Sequence, residues 1–159
     1  MTTYWPAKQI LPGLWIGSKA DSQSFTFLHK NRISLVVNCT ADLPTTLPEF
    51  MKIPCVRVPV DDTPSECRTF ANHAPAALFR IDEALNSREA VLVHCFAGVS
   101  RSASVVACYL LKKHPKIFPT LESAISYIQS KKPETFKSGG NVSMVNFRNA
   151  LQRFESRAS

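Results

Sequence analysis

A chain of 159 residues is the size of one ordinary domain, and 45% hydrophobic with 19% charged residues is the make-up of a folded globular protein. No apolar run approaches the ~20 residues of a membrane span. Residues 1–9 lack a secretory pattern, position 2 is Thr and not the glycine that myristoylation needs, and the closing Arg-Ala-Ser is no prenylation signal, so no stable membrane anchoring is expected. The net charge of +7 favours anionic partners, but the basic residues are scattered and not interleaved with aromatics, so no nucleic-acid partner is expected.

In chain order, Ile10 to Gly17 reads as two short strand pieces around a Pro12-Gly13 turn. Asp21 is placed to cap a helix through about Lys30, with Phe25 and Leu28 turned inward. Ile33 to Asn38 is a continuous apolar run, as in a parallel strand covered on both faces. A loop with two prolines follows. Val56, Val58 and Val60 alternate with Arg57 and Pro59 in a strand that Pro59 marks as an edge or an end. Asp61 and Asp62 come next, and if the extension persists Asp62 shares the side of Val58 and Val60. Residues 66–87 are helical, with Pro75 either kinking the helix or restarting it, and Leu78, Ile81 and Leu85 form the buried stripe.

Val91 to Val93 is a second buried strand, and Val105 to Leu111 is apolar on every side, a helix for the core. Thr120 suits the cap of a helix whose face is Leu121, Ala124, Ile125 and Ile128. Gly139-Gly140-Asn141 reads as a hinge, and Met144, Phe147, Leu151 and Phe154 recur at helical spacing in a final helix. Strands alternating with helices predict a single α/β domain over 1–159, with a central, mostly parallel sheet flanked by helices. Five cysteines are an odd number, with no Cys-x-x-Cys pair and no cluster among His29, His73, His94 and His114. Neither a disulfide framework nor a metal site is indicated, and no cofactor motif is seen.

The stretch from Val91 to Ser104 organises the rest: strand, loop, then helix from Arg101-Ser102. Gly98 permits a backbone turn that a Cβ would resist, and the small or hydroxylated Ala97, Ser100 and Ser102 let successive N–H groups converge. Such a nest at a helix N-terminus binds dianions. Arg101 sits at the positive end of the helix dipole and no Asp or Glu lies between Val91 and Ser104, so the missing negative charge is read as a bound anion. A guanidinium matches phosphate bidentately. Cys95 lies at the bottom of the nest, where N–H dipoles, the helix end and the guanidinium all favour thiolate over thiol, and a thiolate beneath a phosphate is a nucleophile. Keeping it reduced suits a reducing compartment.

His94-Cys95-Phe96-Ala97-Gly98-Val99-Ser100-Arg101-Ser102 resembles the His-Cys-x-Ala-Gly-x-Ser-Arg-Ser signature of the dual-specificity protein phosphatases, with their Cys-x5-Arg loop. Ile10 to Gly17 is similar to the family's opening Ile-x-Pro-x-Leu-x-x-Gly, Val37-Asn38-Cys39-Thr40 to its Leu-Asn-Val-Thr, and Val58 to Asp62 to the strand before its general-acid loop. The acid precedes the cysteine, the reverse of the low-molecular-weight tyrosine phosphatases. With no docking or rhodanese-like domain upstream, the chain resembles a small, atypical member. Phe147-Arg148-Asn149-Ala150-Leu151 stands where the family often has Phe-x-x-Gln-Leu, and Ser104 replaces a frequent threonine.

The resemblance implies a cytoplasmic enzyme, with the nucleus as a second compartment, that hydrolyses phosphotyrosine and phosphoserine/threonine on phosphoproteins through a phosphocysteine. It implies Cys95 as nucleophile, Asp62 as general acid, Ser102 beside the departing thiolate, His94 behind the loop, and residues 96–101 on the phosphate. Phosphoinositides or RNA 5′-phosphates are alternative substrates for the same loop, and a phosphate-binding pseudophosphatase is the reading without turnover. Cys39, at the end of a strand flanking the central one, is the candidate disulfide partner of an oxidised Cys95, and is otherwise a plain core residue. The sequence leaves the oligomeric state open.

Overall fold

The structure is a computed structural model, which describes residues 5–45, 47, 49–138 and 142–155. The Pro12-Gly13 turn joins β1 (Lys8–Leu11) to β2 (Leu14–Gly17) as an antiparallel pair, and Gly13 adopts the φ of +83° that the turn requires. β3 (Ile33–Asn38), β4 (Cys55–Arg57) and β5 (Ala90–His94) join β2 in parallel. The order is β1-β2-β5-β3-β4, so β5 is the central strand of a mixed sheet. Parallel neighbours on both sides explain the apolar runs Leu35 to Val37 in β3 and Val91 to Val93 in β5.

Alternation along β5 builds two layers. Val91 and Val93 enter the large core with Leu35 and Val37, while Leu92 enters a smaller cluster with Leu28, Ile33 and Val36 on the other face. The large core is closed by α3 (Cys67–Asn86), α4 (Arg101–Lys113), α5 (Leu121–Lys131) and α6 (Arg148–Gln152). α4 is buried from Ser102 to Leu111, as its uniformly apolar sequence requires. Thr120 caps α5 in a reciprocal capping box with Ser123. Pro75 does not divide α3, which runs continuously through it; Pro75 is exposed on the outer side of the helix.

Four expectations need correction. Asp21 is not the cap of one helix to Lys30. Ser18 caps a short α1 (Lys19–Ser22) with Asp21 as the third residue of its capping box, and Ser24 caps a separate α2 (Phe25–Lys30). Leu28 is buried, but Phe25 is exposed and stacks on His29 at 5.3 Å. The strand read through Val60 ends as a ladder at Arg57, because Pro59 has no N–H to give. The apolar stripe from Met144 to Phe154 is helical only from Arg148 to Gln152; before it lies a hairpin of β6 (Lys137–Ser138) and β7 (Val142–Ser143). The Gly139-Gly140-Asn141 hinge lies outside the described residues.

Candidate active site

β5 ends at His94, and the chain turns over the end of the sheet from Cys95 to Ser100 before α4 begins. Gly98 makes this turn with φ +74°, and a Cβ there would lie 2.7 Å from the Gly17 carbonyl oxygen and 2.9 Å from its carbon. Glycine is therefore required twice, for the dihedral and for the close approach of the loop to the end of β2.

The loop's carbonyls are drawn outward. Lys19 N–H donates to Phe96 O at 3.0 Å, and Phe136 N–H donates to Val99 O at 2.9 Å. On those two trans peptides the Ala97 and Ser100 N–H groups lie on the opposite edge, and the N–H groups of residues 96–101 have no hydrogen-bond partner among the described residues. Ser100 stands at the N-cap of α4 yet does not cap it. Its hydroxyl goes to Asp62 Oδ1 at 2.7 Å instead. The first turn of α4 is thus left open to an external acceptor, the arrangement in which a helix N-terminus takes an anion.

Cys95 is 3% exposed beneath these donors, with Ser102 Oγ 3.2 Å from its Sγ. Arg101 Nη1 donates to Val60 O at 3.0 Å, tying the helix start to the segment that carries the acids. No carboxylate lies within ion-pairing distance of Arg101 among the described residues. Its positive charge is met by a backbone carbonyl alone and remains available to an anion.

His94 is 2% exposed, and its Nδ1 lies 3.2 Å from Cys95 O. Burial first, with the Arg57 and Arg101 charges adding to it, pushes the imidazole down to about 4 against the opposing bond to Cys95 O. The ring is neutral at pH 7, and since a carbonyl only accepts, Nδ1 carries the proton. Beside it, the Cys39 amide donates to His94 O at 2.8 Å. Burial, and then the charge of Cys95, hold the Cys39 thiol well above its ordinary range.

The apolar alternation persists past the end of β4: Val58 and Val60 are buried, Asp61 is exposed and Asp62 half-buried. Asp62 faces the loop. Besides Ser100, Asn146 Nδ2 donates to its Oδ1 at 2.9 Å and to its backbone oxygen at 3.0 Å. The Asp61 amide instead turns to Glu66 Oε1 at 3.4 Å. The structure therefore brings Cys95, Arg101, Ser102, His94, Asp62 and the amides of Phe96, Ala97, Gly98, Val99 and Ser100 to one end of the sheet.

Sequence reasoning missed three supports. Asn38 Oδ1 accepts from the Thr40 amide at 3.1 Å and its Nδ2 donates to Leu43 O at 3.1 Å, shaping the loop after β3. Arg57 crosses from β4 to donate to Thr40 O at 2.9 Å and Leu43 O at 2.8 Å. Asn146 had no signal beyond being a polar residue inside an apolar stripe. No group of three or more His, Cys, Asp or Glu side chains placed to hold a metal occurs among the described residues.

Residues 14–155 match the family described as dual specificity phosphatase, catalytic domain. Human dual specificity protein phosphatase 9 is 36% identical over 124 residues, covering 78% of this chain and 31% of that protein. Dual specificity protein phosphatase 1B of Arabidopsis thaliana is 31% identical over 147 residues, 92% of this chain and 80% of the plant protein. The chain spans only 31% and 30% of the lengths of the human relative and of Drosophila melanogaster Mpk3. The crystal structure of human DUSP28 superposes with a TM-score of 0.78 at 26% identity, covering 94% of this chain and 93% of that one. Through these residues the chain belongs to the dual specificity phosphatase family.

Proposed function

We propose that the protein hydrolyses phosphate monoesters of phosphoproteins, on tyrosine and on serine or threonine, in two steps at Cys95. In the first, Cys95 Sγ bonds to phosphorus as the P–O bond breaks, and Asp62 protonates the departing oxygen. In the second, Asp62 takes a proton from the water that attacks the phosphocysteine, and the thiolate leaves toward Ser102 Oγ, 3.2 Å away. Arg101 and the amides of residues 96–101 hold the phosphoryl oxygens and take up their charge in the transition state. His94, neutral and bonded to Cys95 O, fixes the peptide that carries the nucleophile.

The observation that carries this reading is the run of loop amides, residues 96–101, with no acceptor among the described residues, next in the chain to a cysteine and ending at an arginine with no carboxylate partner among them. A protein substrate is favoured over a phosphoinositide because the loop residues Phe96, Ala97, Gly98 and Val99 bring no lysine to meet additional phosphates. No helix of the described residues is long and apolar enough to cross a membrane. The five cysteines are all unpaired in the structure, which suits action in a reducing compartment, cytoplasm or nucleus.

Turnover of phosphotyrosine, phosphoserine and phosphothreonine peptides, measured beside soluble phosphoinositides, tests the assignment. Peptide turnover should exceed phosphoinositide turnover. The reverse ranking overturns the substrate class, and binding of phosphate without any turnover overturns the enzyme.

A further inference from the structure

We infer that Asn146 is the positioning residue of the general acid, holding Asp62 so that the proton for the leaving oxygen is carried on Oδ2. The inference rests on Asp62 being that acid. Both acceptors near the Asn146 carboxamide, Asp62 Oδ1 at 2.9 Å and Asp62 O at 3.0 Å, lack protons, so the NH2 must face them and the amide orientation is settled by chemistry. The Ser100 hydroxyl donates to the same Oδ1 at 2.7 Å. Two hydrogens directed at Oδ1 stabilise negative charge there and make it the less favourable of the two oxygens to protonate. When Asp62 is protonated, the proton is therefore on Oδ2, which no side chain of the described residues engages.

Asn146 is itself held on both sides. Next to it, Phe147 is buried and stacks on Phe70 of α3 with ring centroids 4.8 Å apart. Its own carbonyl receives the Cys67 thiol at 3.6 Å. Two residues before it, the Met144 amide donates to Phe136 O at 2.7 Å, and the Phe136 amide donates to Val99 O at 2.9 Å. Phe136 is fully buried with φ +60°, a dihedral that a non-glycine residue holds only when its surroundings impose it. One short segment thus grips the phosphate loop at Val99 and the acid at Asp62, so that the two halves of the site keep a fixed separation.

The arrangement acts on the chemical step. As Sγ bonds to phosphorus, the P–O bond breaks with its electron pair on the leaving oxygen, and the Oδ2 proton passes to that oxygen. Asp62 becomes a carboxylate at that moment. Hydrogen bonds to a charged acceptor are about twice as strong as to a neutral one, so the donors from Asn146 and Ser100 tighten as the transition state is approached. Asn146 then contributes to kcat rather than to substrate binding.

The test is the leaving-group dependence of Asn146→Ala, Asn146→Asp, Asn146→Leu, Asp62→Ala and the Asn146→Ala/Asp62→Ala double variant. Asn146→Asp keeps the shape but sets a second carboxylate against Asp62, so Asn146→Leu, of similar size with neither donor nor charge, is made beside it and guards against a folding defect in the alanine variant. The Asn146 variants should lose roughly 10- to 100-fold in kcat on a phosphotyrosine peptide, part of the 10²- to 10⁴-fold that a general acid supplies, with KM little changed. On an aryl phosphate with a strongly acidic phenol, whose oxygen needs no proton, they should lose about twofold or less. In the Asp62→Ala background, Asn146→Ala should add no further loss on the peptide. Equal losses on both substrates, or full additivity in the double variant, overturn the inference. If Asp62→Ala shows the leaving-group split and the Asn146 variants do not, the inference alone fails. If Asp62→Ala shows no split either, the assignment of the acid fails and takes the inference with it.

Discussion

Adding a single methyl at Gly98 should weaken phosphate binding and stability together, while the same change at Gly13 should lower stability alone. At Gly98 the new Cβ would meet two backbone atoms of Gly17, at 2.7 and 2.9 Å, in a residue held by the pairing of β2 with β5. Neither atom is the end of a flexible side chain, so the loop must move. The left-handed φ of +74° costs alanine roughly 1 kcal/mol, and overpacking against rigid backbone a further 1 to 3. The sum of about 2 to 4 kcal/mol corresponds to a fall in Tm of roughly 4 to 16 °C for a domain of this size. Gly13 is the control: it has φ +83° and a Cβ 2.9 Å from Glu89 O, but it lies at the far end of β2 from the loop. The assay pairs thermal unfolding with inhibition by inorganic phosphate or tungstate. Gly98→Ala should lose at least about tenfold in oxyanion affinity, as a shift of one or two converging donors implies, and Gly13→Ala should keep it. Wild-type oxyanion affinity in folded Gly98→Ala would refute the reasoning that this turn aims the amides.

Two further outcomes are expected. Because the His94 imidazole is pushed down to about 4, the unfolded chain takes up a proton below its ordinary 6.5 that the folded protein refuses, so unfolding free energy should fall between about pH 6.5 and pH 4 by up to roughly 3 kcal/mol. Urea unfolding at pH 7 and pH 4.5 should show a smaller drop for His94→Asn than for the wild type, and equal drops would contradict a buried neutral imidazole. Mild peroxide should convert Cys95 to a sulfenic acid, which the Cys39 thiol then attacks with loss of water to form a disulfide. Asn38 pairs with His94 in neighbouring strands and the Cys39 amide donates to His94 O, so the two cysteines each follow directly on a paired residue, where the strand spacing of ~5 Å is one that a disulfide spans. Oxidation of Cys95 also removes the charge that helps hold the Cys39 thiol protonated. Peptide mapping should find Cys39 joined to Cys95, and in Cys39→Ser a second equivalent of peroxide should carry the unprotected sulfenic acid on to sulfinic acid, which dithiothreitol does not reverse; a Cys95 paired with Cys55, Cys67 or Cys108 would sink the prediction.

What could be read in advance was what is local. The loop from His94 to Ser102 carries its nucleophile, arginine, glycine and helix start within nine consecutive residues, so composition and order alone expose it. The apolar runs Leu35 to Val37 and Val91 to Val93 told of parallel neighbours, and the alternation of Val58, Val60 and Asp62 told which acid is the less exposed. The Asp21 error had a readable remedy, since Ser18-Lys19-Ala20-Asp21 is itself a capping pattern, but it needed the cap to be sought before the acid. The stripe from Met144 to Phe154 misled because burial at helical spacing does not require a helix: Phe147 reaches the core by stacking on Phe70 from just outside α6. Asn146 was out of reach in principle. It meets Asp62 across 84 residues of chain, and only the folded hairpin brings the two together.

The central claim is that a phosphoryl group passes through Cys95, and rapid-quench peptide mapping tests it directly. The Ser102→Ala variant, without the hydroxyl 3.2 Å from Sγ that receives the departing thiolate, should accumulate the intermediate during turnover of a phosphotyrosine peptide. One phosphoryl group should be recovered on the peptide that contains Cys95, labile to mild acid and stable to base as an S-linked phosphate is, and it should be absent from Cys95→Ser, which should also show no turnover. A phosphoryl group on any other residue, or wild-type turnover by Cys95→Ser, would contradict the account.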